Sequence, residues 1–430
     1  LISHTATLLG LALLVIAVIG VIAAPLLVPV FAPGFIATPD KFNITVEMLR
    51  IVFPYIFLIS LVALAAGVLN THGRFMAPAF TPILLNISFL IFALLLVGWF
   101  EPPVLALAWA VLAGGLLQLF FQVPFLAKLG FVPGLALDLK DEGVWRILKL
   151  MGPAIVGISI SQIAILINSA FASFLDTGSV SWLYYAGRLE TFPTGLLGAA
   201  LGTVLLPSLA KYYSVNSSAE YSKLLDWGLR LTVLLALPAA LALAMLSTGL
   251  IATLFLYGKF SAGDLVMVRQ ALIAYSAGLF GIICIRVLAP GFYARHDVKT
   301  PFRVAGICLF ATMLMNIILI GPLKHAGLAL AVSFGASLNA GILFFKLRRQ
   351  GIYHPQPGWR KFFLKIVIAL AAMAGVIWYF AGGDAEWIHA SPFERVGQLA
   401  LVILLAAISY FGALWLLGIR PKDFSKRVLA

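Results

Sequence analysis

Arg188 and Glu190 are the residues with the most chemical potential. They lie inside Ser179 to Pro207, SVSWLYYAGRLETFPTGLLGAALGTVLLP, a stretch otherwise apolar and long enough to cross a bilayer. An arginine at the bilayer centre costs roughly 2.5 to 3.5 kcal/mol on insertion scales, so it must face a wet cavity or a partner. Pro193 follows, then Gly195, Gly198 and Gly202, and the helix is expected to kink beside its charge. A cation beside a kink points to a transport site. The alternative is an arginine that snorkels to the interface or pairs with Glu190. A two-residue offset, however, puts the two side chains on different helix faces.

Other polar residues carry weaker signals. Asn168 shares a helical stripe with Ser161 and Ala172, beside Gln162, Ser169 and Ser173, a face that either lines a cavity or joins helices. Arg74, next to Gly73 between two apolar runs, either orients the chain or draws an anionic head towards it. Arg286, seven residues before Tyr293, packs or snorkels. His72 and His296 occupy matched repeat positions without further ligands, and Cys284 and Cys308 sit in apolar runs without ligand spacing, so no metal site is expected. A Walker loop, a nucleophile constellation and paired carboxylates at a membrane edge are all absent from the sequence.

These residues are carried by a chain with 62% hydrophobic and 10% charged residues and a mean hydropathy of +1.07. That composition is an all-α polytopic membrane protein, because the apolar runs are continuous rather than alternating as in a barrel. About twelve spans are expected, near 5–31, 48–70, 79–99, 103–127, 147–174, 179–210, 228–256, 266–293, 301–321, 326–347, 362–381 and 394–418. Assigning each Lys and Arg to the nearer loop leaves 21 after the even-numbered spans and 6 after the odd ones, apart from Arg188 and Arg286. The basic loops, and with them both termini, are therefore expected in the cytoplasm. This bias and contact with anionic lipid account for the net charge of +13 without nucleic acid.

The chain also repeats itself. Phe31 and Phe255, Gly34 and Gly258, Asp40 and Asp264, and Gly67 and Gly291 each differ by 224 positions, and AGVLNTHGRFMAP then parallels APGFYARHDVKTP at an offset of 223. Such register over four spans predicts two parallel halves of a transporter. The second half begins two spans before its first matched residue, so about 80 residues and two helices are expected upstream of Leu1, giving fourteen in the intact protein. The expected division is 1–128 as four of six helices of a first lobe, 129–146 as an interlobe loop, 147–349 as a six-helix second lobe, and 359–418 as a C-terminal helix pair.

Three stretches, NTHGRFMAPAFTPILLNIS from Asn70, SWLYYAGRLETFPTGLLGAALGTVLLPSLAK from Ser181 and LAPGFYARHDVKTP from Leu288, resemble the MurJ (MviN) family of lipid II flippases, of the multidrug/oligosaccharidyl-lipid/polysaccharide exporter superfamily. The resemblance covers essentially the whole chain. It implies two pseudo-symmetric six-helix lobes in a V around a cationic cavity, with the two C-terminal helices forming a groove for a polyprenyl tail. It implies transport rather than catalysis, with lipid II as substrate, membrane lipids as surroundings, a monomer, and the bacterial inner membrane as location. No cofactor is implied, the drive being a Na+ gradient or the membrane potential. The family's essential arginines lie mostly on the first two helices; the one on its eighth falls on Arg188. The sodium site proposed for relatives is not carried over, because Asn168 and Asn316 offer oxygens without a buried Asp nearby. Candidate substrate-binding residues are Arg188, Glu190, Asn168 and Arg74, and Ala369, Ala372 and Gly375 are expected to line the groove. The alternatives are a multidrug or lipid-linked oligosaccharide exporter of the same superfamily, and a membrane enzyme acting on a polyprenyl substrate.

Overall fold

The computed structural model describes residues 2–131 and 162–420. Ser161, most of the expected interlobe loop, the first part of the span at 147–174 and the tail beyond Arg420 lie outside the described residues. Helices make up the architecture, and among the described residues there is no strand. With no water to bond to in a bilayer, backbone N–H and C=O groups must be satisfied within each segment, which long helices achieve. Ten helices are long and apolar enough to cross a membrane among the described residues.

Two compact units divide the chain, 1–166 and 167–430. The first holds α1 (Ile2–Phe31), α2 (Pro39–Val52), α3 (Tyr55–Thr71), α4 (Met76–Ile91) and α5 (Leu105–Ala127). Here α4 and α5 are joined by polar contacts within apolar surroundings: Ser88 Oγ donates to the Ala110 carbonyl at 2.7 Å, and Gln122 Nε2 to Thr81 Oγ1 at 2.8 Å. Between the units in sequence runs α6 (Gln162–Ser173).

The second unit holds α7 (Ser179–Ser214), α8 (Ser218–Met245), α9 (Ser247–Phe255), α10 (Ala262–Leu288), α11 (Pro290–Tyr293), α12 (Lys299–Arg349), α13 (Trp359–Phe380), α14 (Asp384–His389) and α15 (Pro392–Leu416). A 51-residue helix would run about 75 Å, more than twice the hydrocarbon thickness. Accordingly α12 breaks at Lys324, whose φ of 48° and ψ of −129° are non-helical, and it contains two of the expected spans. By contrast α7 stays one element through Pro193 instead of dividing there. At the centre of the unit α10 packs closely on α12: a Cβ at Gly278 would lie 2.5 Å from Ser333 Cα, and one at Gly281 2.8 Å from Ser337 Cα. Small residues thus bring the two backbones together, the usual basis of helix association in lipid.

The internal repeat is visible in backbone hydrogen bonds. After α3, the amides of His72, Gly73 and Arg74 donate to the carbonyls of Leu69, Asn70 and Leu69; after α11, those of Arg295, His296 and Asp297 donate to Phe292, Tyr293 and Phe292. Every partner is offset by 223, so His296 (φ 62°) takes the left-handed place of Gly73 (φ 71°). His72 therefore corresponds to Arg295, and the matching of His72 with His296 is corrected by one residue. A left-handed residue after a helix frees its last carbonyls to be capped, and glycine adopts it most easily.

The C-terminal pair α13 and α15 docks on α8 through Val233, Ile366, Val402 and Ala406. A carboxylate fixes this junction. Asp226 on α8, 2% exposed, accepts at Oδ1 from the Tyr353 hydroxyl (2.8 Å), the Gln356 amide (3.0 Å) and Trp359 Nε1 (2.8 Å), and at Oδ2 from Arg230 Nε (2.7 Å). Arg230 also donates to the Pro357 carbonyl and lies over the Trp359 ring. Burial, then the Asp226 carboxylate, pushes the Tyr353 phenol far above its ordinary pKa, so it remains a donor. Removing one partner of a buried ion pair costs about 3 kcal/mol or more. Asp226→Ala is expected to lower thermal stability in detergent by that order and to expose the 350–358 connection to protease, whereas Lys223→Ala, which breaks only the exposed Lys223–Glu220 pair, should leave both unchanged.

Candidate functional site

The site is built on α7. Its tyrosine-rich first third places Tyr184 one turn before Arg188, and the two side chains meet: Arg188 Nη2 donates to the Tyr184 hydroxyl at 2.7 Å, and the guanidinium lies 4.7 Å from that ring's centroid. Both residues are exposed. Among the described residues no carboxylate forms a salt bridge with Arg188. The cation is therefore oriented by an aromatic face and a hydroxyl, without being neutralised. Threonine hydroxyls accompany the proline: Thr191 Oγ1 donates to the Gly187 carbonyl at 2.7 Å and Thr194 Oγ1 to the Thr191 carbonyl at 3.0 Å.

Glu190 does not join Arg188. It turns into the α7–α10 packing, where its Oε1 is fully enclosed without a hydrogen-bond partner among the described residues and Tyr275 of α10 lies within its electrostatic reach. Asn168 is engaged elsewhere. Its Oδ1 accepts from Asn316 Nδ2 at 2.8 Å, tying α6 to the first half of α12. Asn316 is fully buried, so this bond joins helices in the way polar side chains do within a bilayer. Arg74 belongs to the first unit, exposed beside the left-handed Gly73.

An apolar cavity of about 470 Å³ opens in the second unit, lined by Leu229, Phe280, Cys284, Gly341, Trp359 and Phe363 among others. It lies between α8, α10, α12 and the start of α13, and the Asp226 cluster holds Tyr353 and Trp359 in its wall. The groove expected along α13 is laid out differently. Ala369 is fully buried in the contact with α8, because a small residue there lets the helices approach, while Ala372 and Gly375 are exposed.

Residues 1–396 match the family model described as lipid II flippase MurJ. A lipid II flippase MurJ of Burkholderia cenocepacia is 46% identical over 432 residues, covering 99% of this chain and 84% of that protein. A probable lipid II flippase MurJ of Haemophilus influenzae is 39% identical, covering 94% and 82%. The chain belongs to the MurJ family. Among solved structures, a lipid II flippase MurJ in an inward closed conformation aligns with a TM-score of 0.78 at 24% identity, covering 96% of this chain and 85% of that one. A transporter of the MOP superfamily from Pyrococcus furiosus aligns at 0.54 and 15% identity, covering 81% and 78%. These two likenesses concern the fold, an all-helical arrangement of long apolar helices.

In this MurJ family member the sequence singled out Arg188 but missed Tyr184, although the four-residue spacing on a helix is the signal that would have found it. Of the other three candidates, Glu190 and Asn168 have other surroundings and Arg74 belongs to the first unit. Because Arg188 and Glu190 are not partners, Glu190→Ala should not restore a chain carrying Arg188→Ala, as it would if the two formed a buried pair. Complementation of a flippase-depleted bacterium checks this: the single Arg188 variant and the double variant are both expected to be inactive, with normal membrane insertion. Tyr184→Phe, which keeps the ring beneath the guanidinium, should reduce activity less than tenfold, the loss of about one hydrogen bond.

Proposed function

We propose that this protein moves lipid II, the lipid-linked peptidoglycan precursor, from the leaflet beside its basic loops to the opposite leaflet, exposing it to one side at a time. The observation that carries this reading is Arg188, an arginine within a span that no carboxylate neutralises among the described residues. The substrate has a diphosphate and a sugar-peptide head, so unaided passage would strip water from several polar groups and negative charge. A guanidinium removes part of that barrier: it stays charged when partly desolvated and can donate two parallel hydrogen bonds to phosphate oxygens. The polyprenyl tail needs an apolar surface, which the cavity beside α13 offers at a size typical of ligand pockets.

The excess of Lys and Arg after the even-numbered spans supports a location in the bacterial cytoplasmic membrane with those loops, and both ends of the chain, inside. We assign 1–128 and 147–349 to the two repeat halves, 129–146 to their connection and 359–418 to the tail-handling pair. Two halves within one chain supply both lobes, so a monomer suffices. The membrane potential or a Na+ gradient supplies the drive, lipid II being the one specific partner. Glu190, Asn168 and Arg74 support Arg188 from a distance: helix packing for the first two, attraction of the anionic head for the third.

Two measurements test the reading. Reconstituted in proteoliposomes, the chain should translocate lipid II; Arg188→Lys should retain only part of the rate, since an ammonium cannot reproduce the bidentate fork. Transport of a cationic dye with no handling of lipid II would overturn the proposal in favour of a drug exporter. For the tail, a Cβ at Gly341 meets nothing within 4 Å, so its side faces open space in the cavity. Gly341→Phe should fit without unfolding the chain and lower lipid II binding at least tenfold.

A further inference from the structure

Arg286, on α10, is an arginine to which neither the transport reading nor the scaffold gives a task. On α7, positions 188, 195 and 202 recur every seven residues and so share a stripe, with 191 and 198 between them. A Cβ placed on Gly195 or Gly202 would meet nothing within 4 Å among the described residues, so the stripe is open to them at both. At Gly198 it would meet Arg286 of α10, Cγ at 3.2 Å and both Cδ and Nε at 3.6 Å. The stem of Arg286 therefore lies across Gly198, on the stripe that carries Arg188. Its side chain is exposed, and among the described residues no acid forms a salt bridge with it and no carbonyl accepts from it.

The unit's scaffold arginines behave otherwise. Arg230 bonds Asp226 and the Pro357 carbonyl, and Arg395 on α15 donates to the carbonyls of Ala252, Leu256 and Ile388. Arg286 shares with Arg188 an open stripe and an unneutralised charge; Tyr293, two turns on, is within its electrostatic reach. Ten residues of helix separate Gly198 from Arg188, about 15 Å. Arg286 lies on the side of the basic loops, where Arg295 sits over Tyr213 and His296 is exposed.

We propose that Arg286 is a second anion station, which takes the diphosphate of the lipid-linked substrate from the basic-loop side before it reaches Arg188. This rests on the lipid II reading. The two guanidinium groups are too far apart to grip one diphosphate together, so they act in succession. Glycine at 198 is part of the station, since a larger residue would push the arginine off the stripe.

The test uses the full chain in nanodiscs of phosphatidylcholine, with or without phosphatidylglycerol, and measures binding of lipid II and of undecaprenol, which has the tail but no phosphate. Arg286→Gln is expected to weaken lipid II binding about tenfold or more, the usual scale for a charge-assisted contact, and to leave undecaprenol unaffected. Arg286→Lys should recover part of the loss, and Gly198→Leu, which keeps the charge but displaces it, should reproduce it. Wild-type affinity for lipid II in Arg286→Gln would overturn the station, as would an equal loss for undecaprenol, the mark of a packing role. A change confined to the response to phosphatidylglycerol would overturn it too, because the arginine would then serve a lipid headgroup. If the unaltered chain bound no lipid II, the functional reading would fail and the station with it.

Discussion

A guanidinium in hydrocarbon has five N–H donors and a charge to satisfy, and the helices of the second unit are arranged around two ways of doing so. Arg230 and Arg395 are bonded to acceptors, at the two ends of the junction between the rest of the unit and the C-terminal pair. Arg188 and Arg286 have an aromatic ring and an open helix face instead. The first arrangement makes a joint. The second leaves donors over, which on the proposed reading serve an anion that must itself cross the bilayer.

The joint and the apolar cavity share residues. Asp226 holds Tyr353 and Trp359, which also wall the apolar cavity, so the carboxylate that docks α13 sets the shape of the space beside it. At the other end of the pair, Asp384 accepts from Thr248 Oγ1 at 2.8 Å and pairs with Arg269, while Trp387 packs on Gly249. Clamps at both ends let the middle of α13 rely on apolar contacts alone, which is where Ala369 is buried.

Much of this was legible in the amino-acid order, for a physical reason: in lipid, length and apolarity decide whether a segment spans, and both are local properties. The break at Lys324 fell between two expected runs because the charge interrupts them. The repeat was legible too, but its slip to an offset of 223 could be placed only by the left-handed residue, since His296 takes without sequence warning a conformation that glycine usually supplies. What could not be read was which polar side chains find each other. The Asn168–Asn316 bond spans 148 positions and the Asp226 cluster more than 120; helix periodicity gives a face, never the partner across it. For the same reason Arg286 looked equally suited to packing and to snorkelling until Gly198 was seen beneath it.

Periodicity does explain how one helix can serve two media. On α10, Cys284 and Arg286 are two residues apart, about 200° around the axis. Cys284, with Phe280 and Gly281, faces the apolar cavity, whereas Arg286 faces α7 and its open stripe. The enclosed helix thus forms a partition, apolar on the side of α8 and α12 and carrying Arg286 on the side of α7. Such a partition works only if the helix cannot rotate, and Gly278 and Gly281 pressed on Ser333 and Ser337 prevent rotation, because any turn would drive a bulkier side chain into the backbone of α12. On the proposed reading the tail stays against one face and the diphosphate against the other, so neither part of the substrate has to enter the medium it is excluded from.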